Sequence, residues 1–283
     1  MKAVYVALFL LCLSTPLHAA RSLIVEAEGS SCVSKGQITS KTEEQALSNA
    51  INKARSIAAE HVVLQAGLKN SVTEQEVVAL YAQAPVRGLQ ELKRENYRDK
   101  FSHRCVRVLV KTEMVPEEKS DELLKKLTGD GPESPLSVKV WPERQIFRVG
   151  ENINFFIKGN KPFFATIVYT DAAENIVQIL PNPYHRDAFF EANRVYKLPT
   201  EGEYGIKVSP PAFGTERITV YAATTPLDEL NEVVPTGIVA DMSTNTPRGG
   251  GGGDKSLKSS TKRNYQKVVE FIEVTATLTT RGE

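Results

Sequence analysis

Histidine and cysteine, the side chains that most often bind transition metals, are scarce here, with four and three copies in 283 residues. His61 falls on a helical pattern beside Val62, and His103 lies next to the turn of a predicted hairpin. The motif His-Glu-x-x-His, with which a helix binds catalytic zinc, is absent. We therefore expect no metal site.

Motifs for nucleophilic or nucleotide chemistry are also missing. No Gly-x-Ser-x-Gly sequence is present to supply an activated serine. The glycine run that leads to Lys255 and Ser256 differs from a phosphate-binding loop by one residue, because Asp254 replaces the glycine before the lysine. No strand leads into this run and no apolar helix follows it, so we expect no nucleotide and no other cofactor. Because catalytic triads can combine distant residues, an enzyme of unrecognised type stays open as an alternative.

The chain lacks an excess of charge of either sign, with 35 basic and 34 acidic residues. A nearly neutral protein has no long-range electrostatic field that would attract polyanions. Nucleic acid and anionic membrane surfaces are therefore not the expected partners.

Apolar runs long enough to cross a bilayer are missing as well. The apolar run at residues 3–13 follows Lys2 and precedes Pro16 and a small-residue exit at Ala19-Ala20, which is the layout of a secretory signal peptide. A retained membrane anchor is the alternative, but the run is too short to span a membrane. We expect residues 1–20 to be a signal peptide and the mature chain, without a transmembrane segment, to reach the periplasm or cell envelope or to be secreted.

Removal of the signal peptide would leave Cys32 and Cys105 as a pair. Two cysteines in an oxidising compartment predict a disulfide, here between the first and last strands of the N-terminal part. A reactive thiol pair is the alternative, although the Cys-x-x-Cys spacing of such pairs is absent.

The patterns in residues 21–128 predict an α+β domain in which a helix packs on a small antiparallel sheet. An extended segment precedes a long alanine-rich helix, for which Ser40 with Glu43, or Thr42 with Gln45, forms a possible capping box. Gly67 is placed to end this helix, and a second, shorter helix follows. Two alternating segments around "RDKFS" then predict a hairpin.

Residues 129–135, "GDGPESP", predict a linker because they are rich in turn-forming residues. From residue 136 to 283 short alternating segments are separated by regular turns, which predicts an all-β antiparallel sandwich. A glycine-, serine- and lysine-rich stretch at about 245–263 cannot bury enough apolar surface to fold, so we expect a flexible loop there.

The stretch "NIVQILPNPYHRDAFF" at residues 175–190 ends a predicted strand with two prolines. Proline cannot donate a ladder hydrogen bond and Asn182 favours a turn, so a structural corner is the simplest interpretation. Loops at the end of a sandwich often bind ligands. The alternative interpretation is therefore that Asn182, Tyr184 and Arg186 form a binding edge.

The C-terminal part resembles the bacterial domain of unknown function 4384. The resemblance depends on "FRVGENINFFI", "ATIVYTDAAENIVQILPN" and "GTERITVYAATTPLDEL", and it covers roughly residues 136–280. In this family a Gly-Glu turn, a strand ending in Leu-x-Pro-Asn and a strand closing on Ser/Thr-x-Pro-Leu recur. The resemblance implies an exported or envelope-associated β domain, and it makes Leu180-Pro181-Asn182 a marker of the fold at a strand end.

The N-terminal part is similar to the N-terminal domain of flagellar assembly protein T and to related small lipoprotein domains. This similarity depends on "EAEGSS", "TEEQALSNAINKARSIAAE" and "CVRVLVKTEM". It implies a helix on a small sheet and a place in an envelope assembly.

From these observations we expect a non-catalytic exported protein, an accessory or structural component of a bacterial envelope assembly that acts by binding another protein. A carbohydrate- or peptide-binding module is one alternative, and an enzyme of unrecognised type is the other. The partner and the oligomeric state do not follow from the sequence.

Overall fold

A computed structural model describes residues 20–68, 72–116, 131–183, 186, 188–200, 205–227 and 268–282. Residues 1–19 of the expected signal peptide and the whole glycine-rich stretch at 245–263 lie outside the described residues. Within the described part, neither helix combines the length and the apolar composition that a membrane crossing requires.

The described residues form mostly antiparallel β structure, with two helices in the N-terminal part. The helices are α1 (Ser40–Gln65) and α2 (Val72–Ala82). The first seven strands are β1 (Ala20–Val33), β2 (Val86–Arg98), β3 (Arg104–Met114), β4 (Val138–Pro142), β5 (Ile146–Arg148), β6 (Asn152–Ile153) and β7 (Phe155–Gly159). The next seven are β8 (Phe163–Thr170), β9 (Ile176–Leu180), β10 (Phe189–Phe190), β11 (Tyr196–Leu198), β12 (Ile206–Lys207), β13 (Thr215–Ala223) and β14 (Val268–Arg281).

Strand β14 joins the N-terminal and C-terminal parts into one sheet. Its first residues pair with β1, and residues further along pair with β13, so that seven strands follow the order β10-β8-β13-β14-β1-β3-β2 in a sheet that β9 and β5 bring to nine strands. In addition, β9 pairs with β8, and the short β5 pairs with β14. The small separate sheet predicted for the N-terminal part is therefore not observed: β1, β2 and β3 continue the sheet of the C-terminal part.

Helix α1 packs on β1 through its alanine face, which approaches the strand closely at Gly29. A Cβ atom added at Gly29 would lie 2.1 Å from the backbone nitrogen of Ala50, so only glycine fits. The helix begins one residue earlier than the sequence suggested: Thr39 is the N-cap, and it exchanges side-chain and backbone hydrogen bonds with Thr42. The predicted Ser40–Glu43 and Thr42–Gln45 boxes are therefore wrong, whereas Gly67, at a φ of 66°, lies just past the helix end as expected.

The largest apolar cluster lies between the nine-stranded sheet and a three-stranded sheet of order β11-β7-β4. Phe155 and Ile157 of β7 meet Ile167 of β8 and Val220 of β13 in this cluster, and all four are fully buried. Alternation along the strands places these side chains on one face. This two-layer packing gives the C-terminal part a sandwich-like form.

A buried group of charged side chains lies where α1 meets the C-terminal part. Glu270 on β14 accepts hydrogen bonds from Lys161 Nζ at 3.0 Å to each carboxylate oxygen, and His61 Nε2 of α1 lies 3.1 Å from its Oε1. The backbone N–H of Leu136 donates to the other oxygen. One carboxylate thus connects a helix, a strand, a loop and the segment that follows the predicted linker.

Candidate binding groove

The predicted binding edge opens into a groove of about 440 Å³ beside the start of β8. The described residues that line it are Phe164, Ala165, Thr166, Pro181, Arg186, Ala188, Pro226 and Leu227. Strands β9 and β13 both run antiparallel to β8, on its two sides, so both end near the start of β8. This topology brings Pro181, which follows β9, close to Pro226, which follows β13.

The corner after β9 is held by its own side chains. Asn182 donates from Nδ2 to the carbonyl oxygen of Ile179 at 3.1 Å, and Gln178 donates from Nε2 to the carbonyl of Pro181 at 2.6 Å. These bonds give two backbone carbonyl groups at the strand end a side-chain donor. Asn182 therefore shapes the wall of the groove and does not line it.

Arg186 supplies the positive charge of the groove. It is exposed, and within the described part of the chain its guanidinium forms no ion pair. Tyr184, the other residue of the predicted binding edge, lies outside the described residues, and so does Asp187, which follows Arg186 in the sequence. A guanidinium stays protonated at any physiological pH and presents several N–H donors. It can therefore attract and orient a carboxylate or another anionic group.

Apolar side chains continue from the groove along the adjacent sheet edge. The ring of Phe164, which lines the groove, contacts the ring of Phe189 with centroids 5.2 Å apart. Phe189 is 47% exposed, and Ile176 and Val177 on β9 are 54% and 50% exposed. Phe189 lies beside the groove, whereas Ile176 and Val177 lie further along β8, opposite Thr170 and Tyr169, and face opposite sides of the sheet.

The described lining of the groove offers hydrogen-bond donors beside apolar side chains. The polar side chains among its described lining residues are the Thr166 hydroxyl and the Arg186 guanidinium. Both can donate hydrogen bonds, but neither acts as a general base at neutral pH. The arrangement is suited to holding an apolar group beside an anionic one.

Comparison with known proteins supports the C-terminal resemblance. Residues 146–226 match a family described as "Domain of unknown function (DUF4384)", a match that spans less than a third of the chain. Pro181 and Pro226 belong to the segments on which the sequence resemblance depends; both lie within this match, and both line the groove. No curated protein matches the chain. The similarity of the N-terminal part to flagellar assembly protein T stays a prediction.

The structure contains the disulfide that the two cysteines predict. Cys32 and Cys105 are directly opposite each other on β1 and β3, with their Cα atoms 4.0 Å apart. Asp99 lies near the two sulfur atoms, but sulfurs that are bonded to each other are not available as thiolate metal ligands.

Several charged residues that the sequence analysis did not select form buried contacts. Besides Glu270, the carboxylate of Glu113 is fully buried and accepts two hydrogen bonds from Arg87 at 2.8 and 2.7 Å. Glu216 is also buried and accepts from Thr280 Oγ1 at 2.7 Å and from the hydroxyl of Tyr169. The signal that could have found them is a glutamate within an otherwise apolar β-strand pattern.

Proposed function

We propose that this is a non-catalytic exported protein that binds a protein partner, as an accessory or structural component of a bacterial envelope assembly. The observation that carries the proposal is the groove beside β8, where the guanidinium of Arg186, which forms no ion pair with any described residue, lies near the exposed ring of Phe189. The partner would contribute an extended segment that places an apolar side chain in the groove and a carboxylate near Arg186.

Strand addition is the binding mode that fits this edge. Strand β9 pairs with β8 on one side, and it has no other strand partner among the described residues. An extended partner segment can form main-chain hydrogen bonds with such an edge while its alternate side chains enter pockets. The exposed Ile176 and Val177 would pack against that segment.

The proposed location depends on the signal-peptide pattern of residues 1–20 and on the disulfide between Cys32 and Cys105. A disulfide persists most readily in an oxidising compartment such as the periplasm. In this proposal the sandwich part binds the partner, and the N-terminal part, which continues its sheet through β14, supports it.

A carbohydrate-binding module is the second candidate because of an exposed aromatic pair in the three-stranded sheet. Trp141 is 37% exposed and stacks on Phe156 with ring centroids 5.6 Å apart. A flat aromatic surface of this kind could hold the apolar face of a sugar ring. Retention on peptidoglycan or glycan resins that is lost in Trp141→Ala, but not in Phe189→Ala, would favour this candidate.

The test is cross-linking in cells with the tagged full-length protein, followed by pull-down and mass spectrometry. The variants Arg186→Gln and Phe189→Ala should lower recovery of a near-stoichiometric envelope partner by roughly tenfold, since each removes a central contact. Arg104→Gln, an exposed arginine on β3, is the matched control and should leave recovery unchanged. Equal recovery with all three variants would refute the role of the groove, and the absence of any partner would refute the proposed function.

A further inference from the structure

A second groove, of about 510 Å³, lies at the C-terminal end of β14 and shares no lining residue with the first. Its described lining residues are Arg144, Ile146, Arg148, Glu151, Arg281 and Gly282. Three of these six residues are arginines, in a chain whose overall charge is close to zero. Positive charge is therefore concentrated in this groove, although the chain as a whole is nearly neutral.

The single carboxylate in this lining neutralises only part of the charge. Glu151 accepts a hydrogen bond from the backbone N–H of Arg148 at 2.7 Å and another from Nη1 of Arg144 at 3.1 Å. The hydrogen bond from the Arg148 N–H, together with the Arg144 guanidinium and the charge of Arg148, outweighs the effect of burial and lowers the pKa of Glu151, so this side chain is ionised at neutral pH. Three guanidinium groups and one carboxylate leave two positive charges.

Two of the arginines are placed side by side by the sheet itself. Arg148 on β5 and Arg281 on β14 are register partners in the parallel pairing of these strands. Both are exposed, and neither forms an ion pair within the described residues. Like charges directly opposite each other disfavour strand pairing. An anion bound between the two guanidinium groups would attract both of them and so offset this repulsion.

The third arginine is already held in position. Arg144 is paired with Glu151, and its guanidinium lies over the ring of Phe147 with the Cζ atom 5.0 Å from the centroid. Phe147 is fully buried, so this ring is a fixed support. A fixed arginine loses little side-chain entropy on binding, whereas Arg148 and Arg281 can close on the ligand.

We propose that the Arg144–Arg148–Arg281 groove binds a phosphate group. A phosphate monoester carries close to two negative charges at neutral pH, which matches the two uncompensated positive charges of the groove. Its oxygens accept paired N–H donors from guanidinium groups in the geometry that arginine provides. Ile146, which is 46% exposed, would contact the apolar portion of the phosphorylated molecule.

The experiment uses the full-length mature protein labelled with ¹⁵N and monitors amide chemical shifts during titration. The probes are inorganic phosphate, pyrophosphate and glycerol 1-phosphate, with glycerol as the uncharged control. Sedimentation with phosphatidylglycerol vesicles, compared with neutral phosphatidylcholine vesicles, separates a lipid head group from a free phosphate. The expected result is a set of saturable shifts at Arg148, Glu151 and Gly282 that weaken as sodium chloride is added.

Arg148→Gln and Arg281→Gln should each weaken phosphate binding roughly tenfold, because each removes charge-assisted hydrogen bonds. Arg104→Gln, an exposed arginine on β3 that lines neither groove, is the matched control and should bind phosphate as the wild type does. Arg148→Lys retains the charge and should bind phosphate with intermediate strength. This variant keeps the proposal testable if Arg148→Gln does not fold. No shifts with any soluble phosphate and no anionic-vesicle binding, or binding that persists in both glutamine variants, would overturn the proposal.

Discussion

The buried pair of Lys161 and Glu270 offers a direct test of how the two parts of the chain are held together. Replacing Lys161 by methionine removes two hydrogen bonds of 3.0 Å and leaves a carboxylate whose side chain is 4% exposed. Loss of one partner from a buried ion pair costs about 3–5 kcal/mol. Glu270 keeps the Leu136 N–H and His61 as partners, so we expect a loss of about 3 kcal/mol in the free energy of unfolding at pH 7.

The same pair predicts how stability depends on pH. Burial by itself would raise the pKa of Glu270, but hydrogen bonds from His61 and Lys161 and the Lys161 charge outweigh it and lower the pKa from 4.5 to about 2. A carboxyl group with a lowered folded-state pKa stabilises the protein above its unfolded pKa and loses that contribution as pH falls through the folded pKa. Between about pH 5 and pH 2 the wild type should therefore lose about 3 kcal/mol through this group.

Urea unfolding, followed by the fluorescence of Trp141 and by far-ultraviolet circular dichroism, measures both effects. Removing both charges, in Lys161→Met with Glu270→Leu, should recover most of the stability because no unpaired charge stays buried. The matched control is Arg194→Gln, which breaks an exposed pair with Glu191 and should change stability far less than Lys161→Met does. If Lys161→Met costs no more than this control, or if its acid sensitivity equals that of the wild type, the reasoning is refuted.

Three other substitutions test the N-terminal part by the same unfolding assay. Gly29→Ala should destabilise by about 2 kcal/mol or more, because the new methyl group overlaps the α1 backbone; stability equal to the wild type would contradict this close approach. Replacing Cys32 and Cys105 by serine should cost about 4 kcal/mol, since the disulfide closes a sequence separation of 73 residues, and reduction of the wild type should reproduce the loss. Thr39→Ala should lower the free energy of unfolding by about 1 kcal/mol, and Ser40→Ala should hardly change it. A larger loss for Ser40→Ala would instead identify Ser40 as the N-cap.

Local features of the N-terminal part could be predicted because they depend on neighbouring residues. The alternating segments around residues 99–103 form the hairpin of β2 and β3, and Gly67 follows the end of α1. The sequence placed the N-cap at the wrong residue because Thr39, Ser40 and Thr42 are all of types that favour this position. Which of them caps the helix depends on the backbone conformation, which the sequence does not show. The pairing of β14 with β1 could not be predicted, since it joins residues near 20 to residues near 270.

The candidate groove was predicted only in part for a similar reason. Arg186 was selected because it follows a proline-rich strand end, where loops often bind ligands. Pro226 and Leu227 were recognised as a strand-end motif, but the sequence does not show that β9 and β13 lie on opposite sides of β8. The second groove was missed because Arg148 and Arg281 are far apart in sequence and become neighbours only through a parallel pairing.

The buried carboxylates explain why this sheet has one register rather than several. Glu270 is opposite Leu23 of β1, and Glu113 is opposite the next residue, Ile24, so the two carboxylates face opposite sides of the sheet. On one side Glu270 meets Lys161 and His61, and on the other Glu113 meets Arg87 and Ser22; these four partners are side chains fixed on other elements. A slip of β14 or of β3 by one residue would turn its carboxylate to the other face of the sheet and separate it from these donors. An unpaired buried carboxylate costs several kcal/mol, so each such pairing error is strongly disfavoured even though the correct pairs add little net stability.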